Sequence, residues 1–186
     1  TGGSAVKIVT LWQPWASLIA AKLKCYETRS WETDYRGKLA IHAAKRPVKQ
    51  EELLPIFYST GGGGVDLEKL TLLEQVLGAD LPLGCIVAIA DLSDCRMMID
   101  HFQSAYTTRT TREVRYSIAE QSVLEKSVGS WQPGRYAWQL KNVLALPEPI
   151  AFKGSQGLQS LTDPQVLSEI SVQTAQIETE VACGAT

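Results

Sequence analysis

Residues 6 to 44 leave this chain little freedom, because hydrophobic period and turn signals alternate there at short, fixed intervals. Val6-Lys-Ile-Val-Thr-Leu-Trp12 alternates and is rich in β-branched residues, which predicts a strand. Gln13-Pro14 ends it and opens a helix with proline at the tolerated first position. Trp15, Leu18, Ile19 and Leu23 then recur at helical spacing, so the helix is predicted to run to about Lys22 and to bury that stripe. A strand over Cys25 to Trp31, a turn at Asp34-Tyr-Arg-Gly37 and a third strand over Lys38 to Ala44 follow, the last with Leu39, Ile41 and Ala43 inward.

The same stretch concentrates unusual chemistry. Trp12, Trp15, Trp31 and His42 fall within it, beside Lys24, Arg29, Arg36, Lys38, Lys45 and Arg46. Aromatic faces interleaved with cations are what a surface needs to stack bases and neutralise phosphate. In the strand after the helix, alternation puts Cys25, Glu27, Arg29 and Trp31 on one face and Tyr26, Thr28 and Ser30 on the other. Glu27 and Arg29 must pair if that face is dry, because an uncompensated buried charge costs several kcal/mol, of order 3 to 5. A wet cleft accommodates them more cheaply. The helix N-terminus at Gln13 adds unpartnered N–H groups, an arrangement suited to phosphate or carboxylate.

Charge is divided unevenly along the 186 residues. The formal net charge is −2, yet residues 1 to 50 carry nine Lys/Arg against three Asp/Glu, and the remainder carries nine against seventeen. An acidic whole with a basic first third excludes a dedicated polycation and leaves room for a local basic surface. The length suits one domain with a proper core. The opening Thr-Gly-Gly-Ser reads as a cloning remnant. With no membrane-length apolar run and no visible signal peptide, a cytoplasmic location is expected. Cys25, Cys85, Cys95 and Cys183 lack metal-site spacing, so free, mostly buried thiols, no metal and no cofactor are expected.

Further along, a helix is predicted around Gln50 to Tyr58, interrupted at Pro55, and then a flexible Gly61 to Gly64 loop without the Gly-Lys-Ser/Thr of a phosphate-binding loop. Asp66 caps a second helix with a Leu67, Leu70, Leu73, Leu77 stripe that ends at Gly78. Cys85 to Leu92 is the most apolar strand. Residues 100 to 128 give no clear element; the Arg109, Arg112, Arg115 series there reads as solvated surface. Ser130 to Leu140 and Val143 to Phe152 read as two strands, and a helix follows Asp163-Pro164 to about Thr179, within a tail that carries four acids and no bases. Nothing in the sequence sets an oligomeric state.

With those residues laid out, the chain resembles the ASCH domain family of the PUA-like superfamily. Its signature, Gly-x-Lys-x-x-Glu-x-Arg, is met by Lys24, Glu27 and Arg29, while Ala21 and Lys22 stand where the glycine belongs. Gln13 to Leu18, Arg29-Ser-Trp31, Arg36-Gly37, Ala43-Ala-Lys45, Gly84-Cys85 and Asp91 to Cys95 extend the likeness. So do Pro133 to Trp138, Pro147-Glu-Pro149 and Lys153 to Gly157. The resemblance implies an α+β fold, a small PUA-like β-barrel of five to seven strands flanked by helices, over residues 6–160, with a C-terminal helix and acidic tail over 161–186.

It also implies a nucleic-acid-binding module, RNA foremost, with a cleft built from Trp12, Gln13, Lys24, Glu27, Arg29, Trp31, Arg36, His42 and Lys45. The expected partner is single-stranded RNA or another nucleic acid, or a nucleotide-like small molecule. The alternative is a small hydrolase in which Lys24 and Glu27 act as acid and base. A ribonuclease activity is suggested for some family members, and some small bacterial relatives resemble amidohydrolases that remove the acetyl group of N4-acetylcytidine with a lysine, a threonine three residues later and a distant glutamate; Glu27 takes that threonine's place here. Trp15 and Trp138 are assigned to the core, while Trp12 and Trp31 stay open between core and stacking platform. For Cys25 an inert thiol is expected, since no partner histidine is identifiable.

Overall fold

The structure is a computed structural model describing residues 5–100 and 115–184, so the opening Thr-Gly-Gly-Ser, Arg109 and Arg112 lie outside it. Its frame is a mixed sheet of seven strands with five helices. In chain order these are β1 (Lys7–Leu11), α1 (Trp15–Ala20), β2 (Tyr26–Arg29), β3 (Gly37–Ala43), α2 (Gln50–Gly61), α3 (Leu67–Gly78), β4 (Cys85–Ile99), β5 (Tyr116–Ser117), α4 (Val123–Ser127), β6 (Tyr136–Ala151), β7 (Leu158–Ser160) and α5 (Pro164–Gly184). The strands run in the order β2-β6-β4-β3-β1-β7, with β5 off this path against β4. The architecture is α+β as expected, but the ladder does not close on itself: β2 and β7 are its ends.

Local signals place most of these elements. Asp66 accepts from the Lys69 amide and starts α3, whose Leu73 and Leu77 are buried while Leu67 stays exposed. Asp163 accepts from the amides of Gln165 and Val166 at the start of α5. α2 continues through Pro55 as far as Gly61. The two strands expected between Ser130 and Phe152 are one, β6. Asn142 at φ +48° reads in sequence as a break, but in space it absorbs a register shift against β4. β7 was not foreseen, because Gln159 and Ser160 are exposed and polar and the strand is only three residues long.

Both faces of β3 are covered, and this departs from the expected alternation. Leu39, Ile41 and Ala43 pack with Val9, Leu11, Ala88 and Trp138, while Ala40 packs on the other face with Ile8, Ile86, Val166 and Ile170. His42, expected on a polar side, is therefore 1% exposed. α5 covers the second face, and its Gln173 side chain bonds the Glu148 backbone in both directions. A third cluster joins Leu18 and Leu23 to Ile56, Leu73, Leu124 and Val128, fixing α2, α3 and α4 beside α1. The cleft opens where that helical group meets the strand ends.

Candidate nucleic-acid interface

β2 is an edge strand paired with β6, with Glu27 opposite Trp138 and Arg29 opposite Tyr136. This register turns the signature residues toward the gap between the sheet and the helical group. Trp12, Lys24, Glu27, Arg29, Trp31, His42 and Lys45 all line one cleft of about 1890 Å³. Trp15 lines it too, half-buried beside the helical cluster rather than wholly core. Trp138, by contrast, is fully buried, as expected.

At the cleft floor stands Glu27, with Arg29 Nε at 2.9 Å from Oε1 and Lys24 Nζ at 3.8 Å from Oε2. The pairing expected of two charges sharing that face is thus present, and Arg29 also donates through Nη2 to the Thr10 carbonyl. Lys24 is 1% exposed, and its ammonium has no hydrogen-bond partner. A buried ammonium without acceptors forfeits a desolvation cost of several kcal/mol, of order 3 to 5. Such a group is balanced only by nearby negative charge or by a ligand.

Some of that charge comes from Glu125 on α4. Its carboxylate accepts from the amides of Cys25 and Tyr26, and it interacts electrostatically with both Lys24 and Glu27. Burial nonetheless raises the Glu125 carboxyl above its ordinary range. Partial desolvation, followed by the Glu125 charge, also raises the Cys25 thiol, the opposite of what a nucleophilic thiolate needs.

His42 Nε2 lies 2.9 Å from the Phe152 carbonyl, so Nε2 carries the proton and Nδ1, which is buried without a partner, carries the lone pair. Burial lowers its pKa, keeping the ring neutral. Over this ring lies the segment 153–157. A Cβ on Gly154 would sit 2.4 Å from His42 Cε1 and Nδ1 and 2.6 Å from Thr10 Oγ1, so only glycine allows this approach.

Aromatic groups flank the opening. Trp12 is 53% exposed and its ring is covered by the Arg46 guanidinium at 3.9 Å, which Glu52 holds through two hydrogen bonds. Trp31 stands edge-on to Trp138 with ring centroids 4.7 Å apart and is 36% exposed.

Two expected site residues are not in the cleft. Gln13 is fully buried: its Oε1 accepts from the Ser17 amide and its Nε2 donates to Ser17 Oγ and the Pro82 carbonyl. It ties α1 to the Pro82 turn, and the amides at the start of α1 are already used, Ala16 by the Trp12 carbonyl and Ser17 by Gln13 itself. Arg36 faces away; its Nη1 donates to the carbonyls of Thr33 and Tyr35 and its Nη2 lies 3.4 Å from Asp94.

The cleft gains Trp131, one of the five tryptophans weighed as stacking platforms, and residues that the sequence reading did not assign to it: Lys126, Arg135, Lys153 and Gly154. Arg135 donates to the Thr28 carbonyl and the Ser130 amide donates to Thr28 Oγ1, which lays segment 129–135 along β2. The Ser122-Val-Leu-Glu125 spacing of a capping motif could have flagged α4, and Ser122 does accept from the Glu125 amide. With these additions, among the described residues six cationic side chains line the cleft (Lys24, Arg29, Lys45, Lys126, Arg135, Lys153) against two carboxylates, Glu27 and Glu52. Among the described residues no cluster of His, Cys, Asp and Glu could hold a metal ion, and no helix is long and apolar enough to cross a membrane.

Comparison with known proteins agrees with this arrangement of motifs. Human activating signal cointegrator 1 is 40% identical over 86 residues, which is 45% of this chain and 13% of that protein. The mouse protein is 38% identical over 90 residues, 47% of this chain and 14% of its own length. The chain thus spans about one-seventh of the length of these relatives. The crystal structure of ASCH from Zymomonas mobilis superimposes with a TM-score of 0.48 at 14% identity, covering 91% of this chain and 96% of that one. The ASCH domain model matches residues 9–150, every strand but β7 except the first residues of β1 and the last of β6 included, and the chain belongs to the ASCH domain family.

Proposed function

We propose that the cleft binds single-stranded nucleic acid, RNA foremost, holding phosphates on its rim cations and stacking bases on Trp12 and Trp31. The observation that carries this reading is the lining: six cations against two carboxylates, beside two exposed indoles, in a space of about 1890 Å³. A pocket for one small molecule usually measures about 300 to 1,000 Å³. The greater extent suits a segment of polymer. Lys45, Lys126 and Lys153 are exposed and free to follow a backbone, and Trp12, with Arg46 against one side, adds a cation-backed stacking face. Membership of the ASCH family, associated with RNA binding and processing, supports the same reading.

The test is fluorescence anisotropy of a labelled single-stranded oligonucleotide titrated with protein across a range of salt. About three to five neutralised phosphates give a slope of log K against log salt of roughly −2 to −3.5 for a single strand. Affinity that does not change with salt would overturn a phosphate-led mode. Binding of mononucleotides alone, with none of the oligonucleotide at low salt, would assign the cleft to a small molecule instead.

A further inference from the structure

Resting on that reading, we infer that Lys24 and Glu27 do not contact phosphate but read the polar edge of one unpaired base inserted to the cleft floor. Three observations lead there. Lys24 is 1% exposed and its ammonium, at the cleft wall, has no hydrogen-bond acceptor. Two carboxylates act on it, Glu27 at 3.8 Å and Glu125, which accepts from the Cys25 and Tyr26 amides and interacts with it electrostatically. A phosphodiester brought there would meet two cations, Lys24 and Arg29, already matched by two carboxylates, which leaves no net positive charge to hold it. A neutral group that offers a lone pair to the ammonium needs no such charge.

The second half of the pair specifies more. Nζ and Oε2 are too far apart to hydrogen-bond to each other, and both residues line the same cleft, the buried ammonium just behind its wall. A donor and an acceptor side by side complement a planar ring that presents an acceptor next to a donor. Every nucleobase does so on its pairing edge: a carbonyl beside an N–H in uracil and guanine, a ring nitrogen beside an amino group in adenine and cytosine. That edge is free only when the base is unpaired. Trp31, half-exposed and braced edge-on by Trp138, offers a face at the same site for the inserted ring. Phosphates then fall to Lys45, Lys126, Lys153 and Arg135 at the rim.

The consequence is a preference that electrostatics alone cannot produce. A duplex carries more charge than either of its strands, so a purely phosphate-led cleft favours it; a base-edge reader favours the single strand. The experiment compares a mixed-sequence single-stranded 12-mer, its duplex, a uracil 12-mer and the same 12-mer built of N3-methyluracil, which keeps charge and stacking but blocks the edge donor. The single strand is expected to bind at least about tenfold tighter than the duplex, and N3-methylation to remove about tenfold. Lys24→Met and Glu27→Gln, each first checked for an unchanged thermal melt, should abolish the methylation effect and leave the salt slope as it was.

Duplex binding as tight as single-strand binding, with a normal salt slope, would overturn this inference and leave the cleft a phosphate binder. A single-strand preference that survives both N3-methylation and Lys24→Met would overturn it in favour of stacking alone. Absence of any binding at low salt would defeat both this inference and the binding reading beneath it.

Discussion

Replacing Gly154 with alanine tests how tightly the 153–157 segment is fitted to the floor of the cleft. The added methyl would lie 2.4 Å from two atoms of the His42 ring and 2.6 Å from Thr10 Oγ1. None of the three can retreat easily. His42 is 1% exposed and fixed by its bond to the Phe152 carbonyl, and Thr10 lies in β1, in register with His42 on β3. Either the segment lifts or the imidazole gives up its hydrogen bond, and overpacking of this kind costs about 1 to 3 kcal/mol. For a chain of this length each kcal/mol lowers Tm by roughly 2 to 4 °C. Urea denaturation of Gly154→Ala should show a reduced midpoint at unchanged m-value.

A double-mutant cycle isolates the cause. Gly154→Ala should cost markedly less in a His42→Ala background, where the ring is gone, than in the parent. A Gly154→Ala protein within about 0.5 kcal/mol of the parent would refute the close approach, since that is the ordinary effect of an unconstrained surface substitution.

Trp12→Ala should weaken single-strand binding by about 1 to 3 kcal/mol, the worth of one base stacked on an aromatic ring, read in the same anisotropy assay; Glu52→Gln, which loosens the guanidinium held over that ring, should reproduce a fraction of the loss. Because the Glu125 carboxyl is raised above its ordinary value of 4.5, its protonated form is favoured on folding; its contribution is fully present below 4.5 and is lost as pH rises through the folded-state pKa, a decline that urea melts should show in the parent and not in Glu125→Gln. His42 runs the other way: its pKa is depressed below 6.5, so its contribution is present above 6.5 and lost as pH falls through the folded-state value, and His42→Gln should abolish that part of the acid destabilisation. Incubation with N4-acetylcytidine should release little or no cytidine, because Glu27 stands where the nucleophilic threonine is needed and is engaged by Arg29; turnover lost in Lys24→Ala would contradict this.

The elements written in local signals were legible in the sequence, and the contacts that depend on distant neighbours were not. Asp66 at the head of α3 and the alternation of β1 act within a few residues, so their spacing alone announces them. Lys24, Glu27 and Arg29 were legible as a group because a strand's two-residue period puts Glu27 and Arg29 on one face wherever that strand lies. Gln13 was misassigned because its amide is used by Pro82, 69 residues on, a partner that no window around Gln13 contains. Glu125 was missed for the same reason, since the amides it accepts from belong to Cys25 and Tyr26. The burial of His42 was not legible because what covers it, the Phe152 carbonyl and Gly154, lies 110 residues or more further along the chain.

The bond between Gln173 and Glu148 bears on how this sheet avoids other chains. Between the pairs Ala88–Ala145 and Ile86–Ile150, β6 leaves its register with β4, so Leu146 to Pro149 stand outside that ladder, where strand backbone needs other partners. Pro147 and Pro149 remove two of the donors in that run. Between the two prolines, the Glu148 N–H and C=O are taken by the Gln173 carboxamide at 3.1 and 3.0 Å, which imitates the backbone of one strand residue and goes no further. At Glu148 a foreign strand therefore finds neither donor nor acceptor free, and α5, besides covering apolar surface, occupies the place such a strand would take there.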